Sequence, residues 1–250
     1  MLSTFRRVAK ANGFAFIHLN TGESGWDLRP DKLAYLEEQR AIVESKSDLP
    51  AVIVDFHSAI PDLSACKADR GANGVHFIRD PRDMLISAVR YHLVSDEAWL
   101  HVPSPEWGGC TYAERLRSFD RLDDQIRWEM DHSMGRVIRE MAGFPLQGVF
   151  QTVRYEDLID DIEMTRFRCL LNDLGLDEEE TQRGLDAFWK SSIFGERSQA
   201  DLHSTKNHVL NSRPRQWAQL PARSIDLIEE RFGQEILQLG YELSPNRVQA

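Results

Sequence analysis

The sequence predicts an α/β fold, an open parallel sheet with helices on both faces, on three observations. Apolar residues recur at strand-like and helix-like spacing in alternation along most of the 250 residues. Ala51-Val52-Ile53-Val54 is a continuous apolar run of the kind that strands buried on both faces require. Predicted strands lead directly into residues that cap and start helices, as in strand–helix–strand units. With 42% hydrophobic and 28% charged residues, residues 1–250 read as one globular domain able to bury roughly three quarters of its unfolded surface.

The first helix covers residues 1–12, with Leu2, Phe5, Val8 and Ala9 on one face and Asn12-Gly13 as its stop. Phe14-Ala15-Phe16-Ile17 is a short buried strand, residues 31–45 are helical, and strands follow at 51–54 and 75–78. Asp80 then stands where a cap belongs, Pro81 suits the first helical position, and Asp83 complements the positive helix end. A helix over 81–92 follows. Pro103, Pro105, Gly108 and Gly109 mark a loop before one long helix over 111–141. Leu116, Phe119, Leu122, Ile126, Met130, Met134, Ile138 and Met141 step along it by three or four, a core stripe and not a methionine metal site. A strand at 149–153 leads to helices at 158–174 and 177–190, and a last helix over 223–239 closes on Gly240.

Thirty basic against forty acidic residues leave a net charge of −10, the wrong sign for wrapping nucleic acid, so no nucleic-acid partner is expected. No stretch approaches the ~18 apolar residues of a membrane helix, and Arg6, Arg7 and Lys10 interrupt the region where a signal peptide carries its apolar core. A cytoplasmic protein without a membrane partner is predicted. Cys66, Cys110 and Cys169 are spaced for neither a zinc site nor a disulfide framework, and Asp201, His203 and His208 fall in a loop where no metal is expected.

Ligands of open α/β sheets bind beyond the carboxyl ends of the strands, which singles out His57, Arg79 and Tyr155. Arg79 has two readings. It pairs with a carboxylate or, together with the free donors of the following helix and the Ser87 hydroxyl, it holds a phosphate monoester. His57 is either a satisfied histidine or a general base. Tyr155 is either a core ring or a wall for a base or sugar.

Phe77-Ile78-Arg79-Asp80-Pro81-Arg82-Asp83-Met84-Leu85-Ile86-Ser87 resembles the signature with which PAPS-dependent sulfotransferases hold the 3′-phosphate of their donor, 3′-phosphoadenosine 5′-phosphosulfate. The resemblance implies Arg79 and Ser87 as the phosphate contacts. Val153-Arg154-Tyr155-Glu156-Asp157-Leu158 is similar to the family's second block and implies Tyr155 near the adenine. His57, 22 residues before Arg79, stands where the family's catalytic base is expected. His208 to Trp217 resembles the donor-binding loop, implying Ser212 and Arg213 on the donor. Leu210 stands there in place of an arginine and Ser212 in place of a glycine, which makes Arg213 or Arg215 the substitute contact.

The implied fold is the P-loop NTPase-like three-layer architecture. The implied reaction moves a sulfuryl group from PAPS to a hydroxyl or amine of a small-molecule or carbohydrate acceptor, with adenosine 3′,5′-bisphosphate leaving and no metal. The family's Lys-x-Gly-Thr-Thr loop has no counterpart, and no Gly-Lys pair occurs. The resemblance places Met1-Leu2 just after that loop, so the chain is expected to be a truncated form without the first strand and loop. The alternative is a non-catalytic nucleotide-binding or assembly protein of the same lineage. Asp55 stands where many relatives carry a lysine and is expected to point away from the donor. The acceptor would meet segments 20–30, 93–112 and 195–207, whose Trp26, Trp99 and Trp107 either stack on acceptor rings or pack beneath loops.

Overall fold

A computed structural model describes residues 2–19, 51–55, 73–144, 150–192, 195 and 214–245. The helix expected at 31–45 lies outside the described residues, as do Trp26, His57, Cys66, Asp201, His203, His208, Leu210, Ser212, Arg213 and the side chain of Asp55. The fold is α/β. Its strands are β1 (Ala15–Leu19), β2 (Ala51–Asp55), β3 (Gly74–Ile78) and β4 (Phe150–Arg154). Its helices are α1 (Leu2–Asn12), α2 (Pro81–Val94), α3 (Tyr112–Arg117), α4 (Leu122–His132), α5 (Met134–Ala142), α6 (Tyr155–Ile159), α7 (Thr165–Asp173), α8 (Glu178–Ser191) and α9 (Ala222–Gln238). The chain divides into two compact units, Met1–Phe77 with Pro145–Ser198, and Ile78–Phe144 with Gln199–Ala250.

In the first unit β1 and β2 pair in parallel, from Ala15 opposite Ala51 to Leu19 opposite Asp55. β3 and β4 form a second pair, so the described strands make two pairs and not one continuous sheet. Both pairs feed one core: Phe16, Val52, Val54, Val75, Phe77 and Val153 pack against Phe5 and Val8 of α1, Phe167 and Leu171 of α7 and Phe188 of α8. Phe167 and Phe188 stack with centroids 4.0 Å apart. The Asn12 amide closes α1 onto α8, donating to the Glu180 carbonyl at 3.2 Å and accepting from Arg183 Nε at 2.7 Å. The chain then turns at Gly13, whose φ of 70° suits a residue without a side chain.

The second unit is built around α2. Its Leu85 and Val89 pack with Ile126 and Met130 of α4, Ile138 of α5 and Ile228, Phe232 and Ile236 of α9. The single helix expected over 111–141 is three helices. The chain leaves helical geometry between Ser118 and Arg121 and again at Ser133, where φ is −141° and ψ −82°. At this break the Met130 carbonyl oxygen comes close to Gly135, where any Cβ would fall inside van der Waals contact. The apolar stripe survives these breaks because Leu116, Ile126, Met130, Ile138 and Met141 are all buried, and this is why it reads as one helix. The helix expected at 158–174 is likewise two, α6 and α7. Asp161 caps α7 by accepting the N–H groups of Arg166 and Phe167 at 3.2 and 2.8 Å.

Candidate anion-binding site

Between β3 and α2 stand Arg79 and Asp80. Asp80 caps α2 as its sequence position predicts, its Oδ1 accepting the Arg82 N–H at 3.0 Å, and Pro81 takes the first helical position. The same carboxylate accepts from Arg82 Nε at 3.0 Å and Nη2 at 2.8 Å, and Arg82 Nη1 donates to Glu229 Oε1 of α9 at 2.7 Å. Glu229 in turn accepts from the backbone and hydroxyl of Ser244 at 2.9 and 2.8 Å. Arg82 is 2% exposed, and its guanidinium carbon lies 3.6 Å from the centroid of the Trp217 ring. A cation in the first turn opposes the helix dipole, so its burial requires two carboxylates and an aromatic face around it. Burial by itself lowers the Arg82 pKa, but Asp80 and Glu229 together outweigh it and leave the guanidinium above its ordinary range.

Asp83 stands in the first turn, as expected, and both its oxygens reach the C-terminal segment. Oδ2 accepts the Arg215 N–H at 2.7 Å and Oδ1 the Trp217 N–H at 3.0 Å. Burial pushes this carboxyl above the ordinary aspartate range, and the charge of Asp80 adds to that. The two N–H groups and the nearby charge of Arg79 hold it down without cancelling the rise. Between them Gln216, buried, accepts a hydrogen bond from Arg90 Nη1. Residues 215, 216 and 217 are thus each tied to α2.

Three of the first-turn positions of α2 have their backbone groups accounted for. Pro81 has no N–H, that of Arg82 goes to the Asp80 carboxylate, and that of Met84 goes to the Asp80 carbonyl at 3.0 Å. Arg79 is half-buried beside Asp83, and Ser87 is half-buried one turn further along α2, on the helical face that carries Asp83. The second unit therefore brings together Arg79, the Ser87 face of α2 and the end of the C-terminal block. Arg215, considered as a substitute phosphate contact, has an exposed side chain and engages Asp83 through its backbone, with a left-handed φ of 59°. Tyr155 belongs to the first unit, half-buried as the first residue of α6. His57, Ser212 and Arg213 lie outside the described residues.

A second polar cluster surrounds the last turn of α2. His92 Nδ1 lies 2.6 Å from Glu129 Oε1, with both residues buried. Burial first, then the charge of Glu129, raises the Tyr112 phenol far above its ordinary range, so it stays protonated and faces Glu129 and Ser133. Trp99 and Trp107 belong to this cluster, both edge-on to Tyr112 at 5.1 and 5.7 Å. Both are half-buried there.

Sequence reasoning gave no site role to Arg82, Glu229 or Trp217. One signal was present: an arginine in a first helical turn needs acidic partners elsewhere. Among the described residues no group of His, Cys, Asp and Glu is arranged to hold a metal ion, and no helix is long and apolar enough to cross a membrane. No family model and no curated protein matches the chain.

Proposed function

We propose that the chain is of the PAPS-dependent sulfotransferase lineage and binds the donor's 3′-phosphate through Arg79 and Ser87. The observation that carries this reading is local. The segment that resembles the family signature folds with Arg79 just ahead of a capped fourteen-residue helix that bears Ser87, and the end of the block resembling the donor loop lies against the same helix. A guanidinium fork and a hydroxyl suit a phosphate monoester, since charge-assisted hydrogen bonds hold it with defined geometry.

In the reaction this reading assigns, an acceptor hydroxyl or amine attacks the sulfur of PAPS in line. A new bond to sulfur forms, the bond from sulfur to the bridging oxygen of the 5′-phosphate breaks, and adenosine 3′,5′-bisphosphate leaves. His57 would take the acceptor's proton, a role worth roughly 10²–10⁴ in rate. Tyr155 would stand near the adenine, and Ser212 and Arg213 would contact the donor.

The test compares two nucleotides. Each charged hydrogen bond is worth about 1.5–3 kcal/mol, so adenosine 3′,5′-bisphosphate should bind about ten- to a hundredfold more tightly than 5′-AMP and raise the thermal midpoint more. Arg79→Ala should abolish the difference. Equal shifts in the unaltered protein would refute the pocket. Release of the bisphosphate from PAPS with hydroxyl or amine acceptors then separates a transferase from a binding protein.

A further inference from the structure

Beside Arg79 and Ser87 stand polar ties that donor binding as proposed does not use. Residues 215–217 are held by one helix, at Asp83 through two N–H groups and at Arg90 through the Gln216 side chain. Asp83 and Arg90 lie four residues before Ser87 and three after it, so the three positions share one face of α2. Residues 215–217 are therefore fastened on both sides of Ser87. The fastening is polar and demanding. Asp83 is buried at 1% exposure, and Arg215 keeps a left-handed backbone that a residue with a side chain holds only where its surroundings over-determine it. Trp217 adds a third tie by covering the Arg82 guanidinium.

We propose that Asp83 and Arg90 are positioning residues that strap residues 215–217 along the Ser87 face of α2, so that the strap walls the 3′-phosphate pocket and sets its preference for a 3′-phosphorylated nucleotide. The inference rests on the proposed role of Arg79 and Ser87. Asp83 links the two halves: its carboxylate fixes the strap and feels the charge of Arg79, while Arg90 anchors the strap on the far side of Ser87.

The experiment measures the affinity ratio of adenosine 3′,5′-bisphosphate to 5′-AMP in the full chain, with amide hydrogen exchange at Arg215 and Trp217. Asp83→Ala should speed exchange at both amides and lower the ratio about tenfold, the worth of one charge-assisted bond. Arg90→Ala should lower the ratio less, and Asp83→Asn, which keeps an acceptor oxygen, should restore part of it. A general loss of stability would weaken both nucleotides alike and leave the ratio unmoved. Faster exchange with an unchanged ratio would overturn the strap's role in selectivity, and unchanged exchange would overturn the strap. Should Asp83→Ala fail to fold, Arg90→Ala carries the same decision, because the Arg90 side chain is exposed. A ratio near one in the unaltered protein would instead refute Arg79 and Ser87 as the phosphate contacts, before any variant is compared.

Discussion

Arg82 shows how one side chain fixes the geometry of the candidate site. It joins the α2 cap to α9 through two carboxylates and lies under the Trp217 ring, with almost no exposure to water. Removing one member of such a buried pair costs about 3–5 kcal/mol, because the other charge remains desolvated. Lysine keeps the charge but lacks the fork that meets Asp80 and Glu229 together, and it cannot lie flat on an indole. Arg82→Lys should therefore lower the unfolding free energy in urea by about 2–4 kcal/mol. A loss below about 1 kcal/mol would mean that the pair does not hold the site together. The neighbouring residues show what was legible. Asp80 and Pro81 act within their own turn, so their roles could be read from the sequence. The remaining partners, Glu229 for Arg82 and the N–H groups of Arg215 and Trp217 for Asp83, lie 147, 132 and 134 residues away, and no local pattern encodes them.

At the scale of elements, helix existence was easier to read than helix continuity. The apolar steps from Leu116 to Met141 are nearly regular, because α3, α4 and α5 each turn a buried edge inward and the breaks fall where the phase is preserved. The informative residue is Gly135. In the structure it is the point where the Met130 carbonyl oxygen approaches the start of α5. A methyl group there meets backbone on a neighbouring helix, and backbone cannot rotate away as a side-chain tip can. Gly135→Ala should destabilise the second unit by about 2–4 kcal/mol, although alanine is the better helix former. A stabilising Gly135→Ala, read by thermal unfolding, would show that the approach of Met130 to Gly135 is not tight. β3 and β4 carry a related lesson. Their pairing needs Gly74 against the Phe150 ring, a close approach that hydrophobic patterning does not announce.

For the whole molecule, the α/β class was legible because each strand carries enough apolar surface to declare itself, and the core of the first unit draws on both strand pairs. Strand order was not, since period and burial say which residues face inward and nothing about which strand lies beside which. The strands also place a titratable group inside the first unit. His76 of β3 is 6% exposed, and burial lowers its pKa from the ordinary 6.5. Above that value His76 is neutral in both the folded and unfolded chain and contributes no pH dependence. As pH falls through 6.5 the unfolded chain takes up the proton first, so stability drops until the lowered folded value is reached. The slope in that window is at most about 1.4 kcal/mol per pH unit. His76→Gln, which cannot titrate, should flatten it. The check is the difference in urea midpoint between the two chains at pH 7.5 and 5.5: it should move in favour of the variant at the lower pH. A difference that stays constant would mean that His76 gains its proton as readily in the folded chain as in the unfolded one, and that burial in β3 does not hold it neutral.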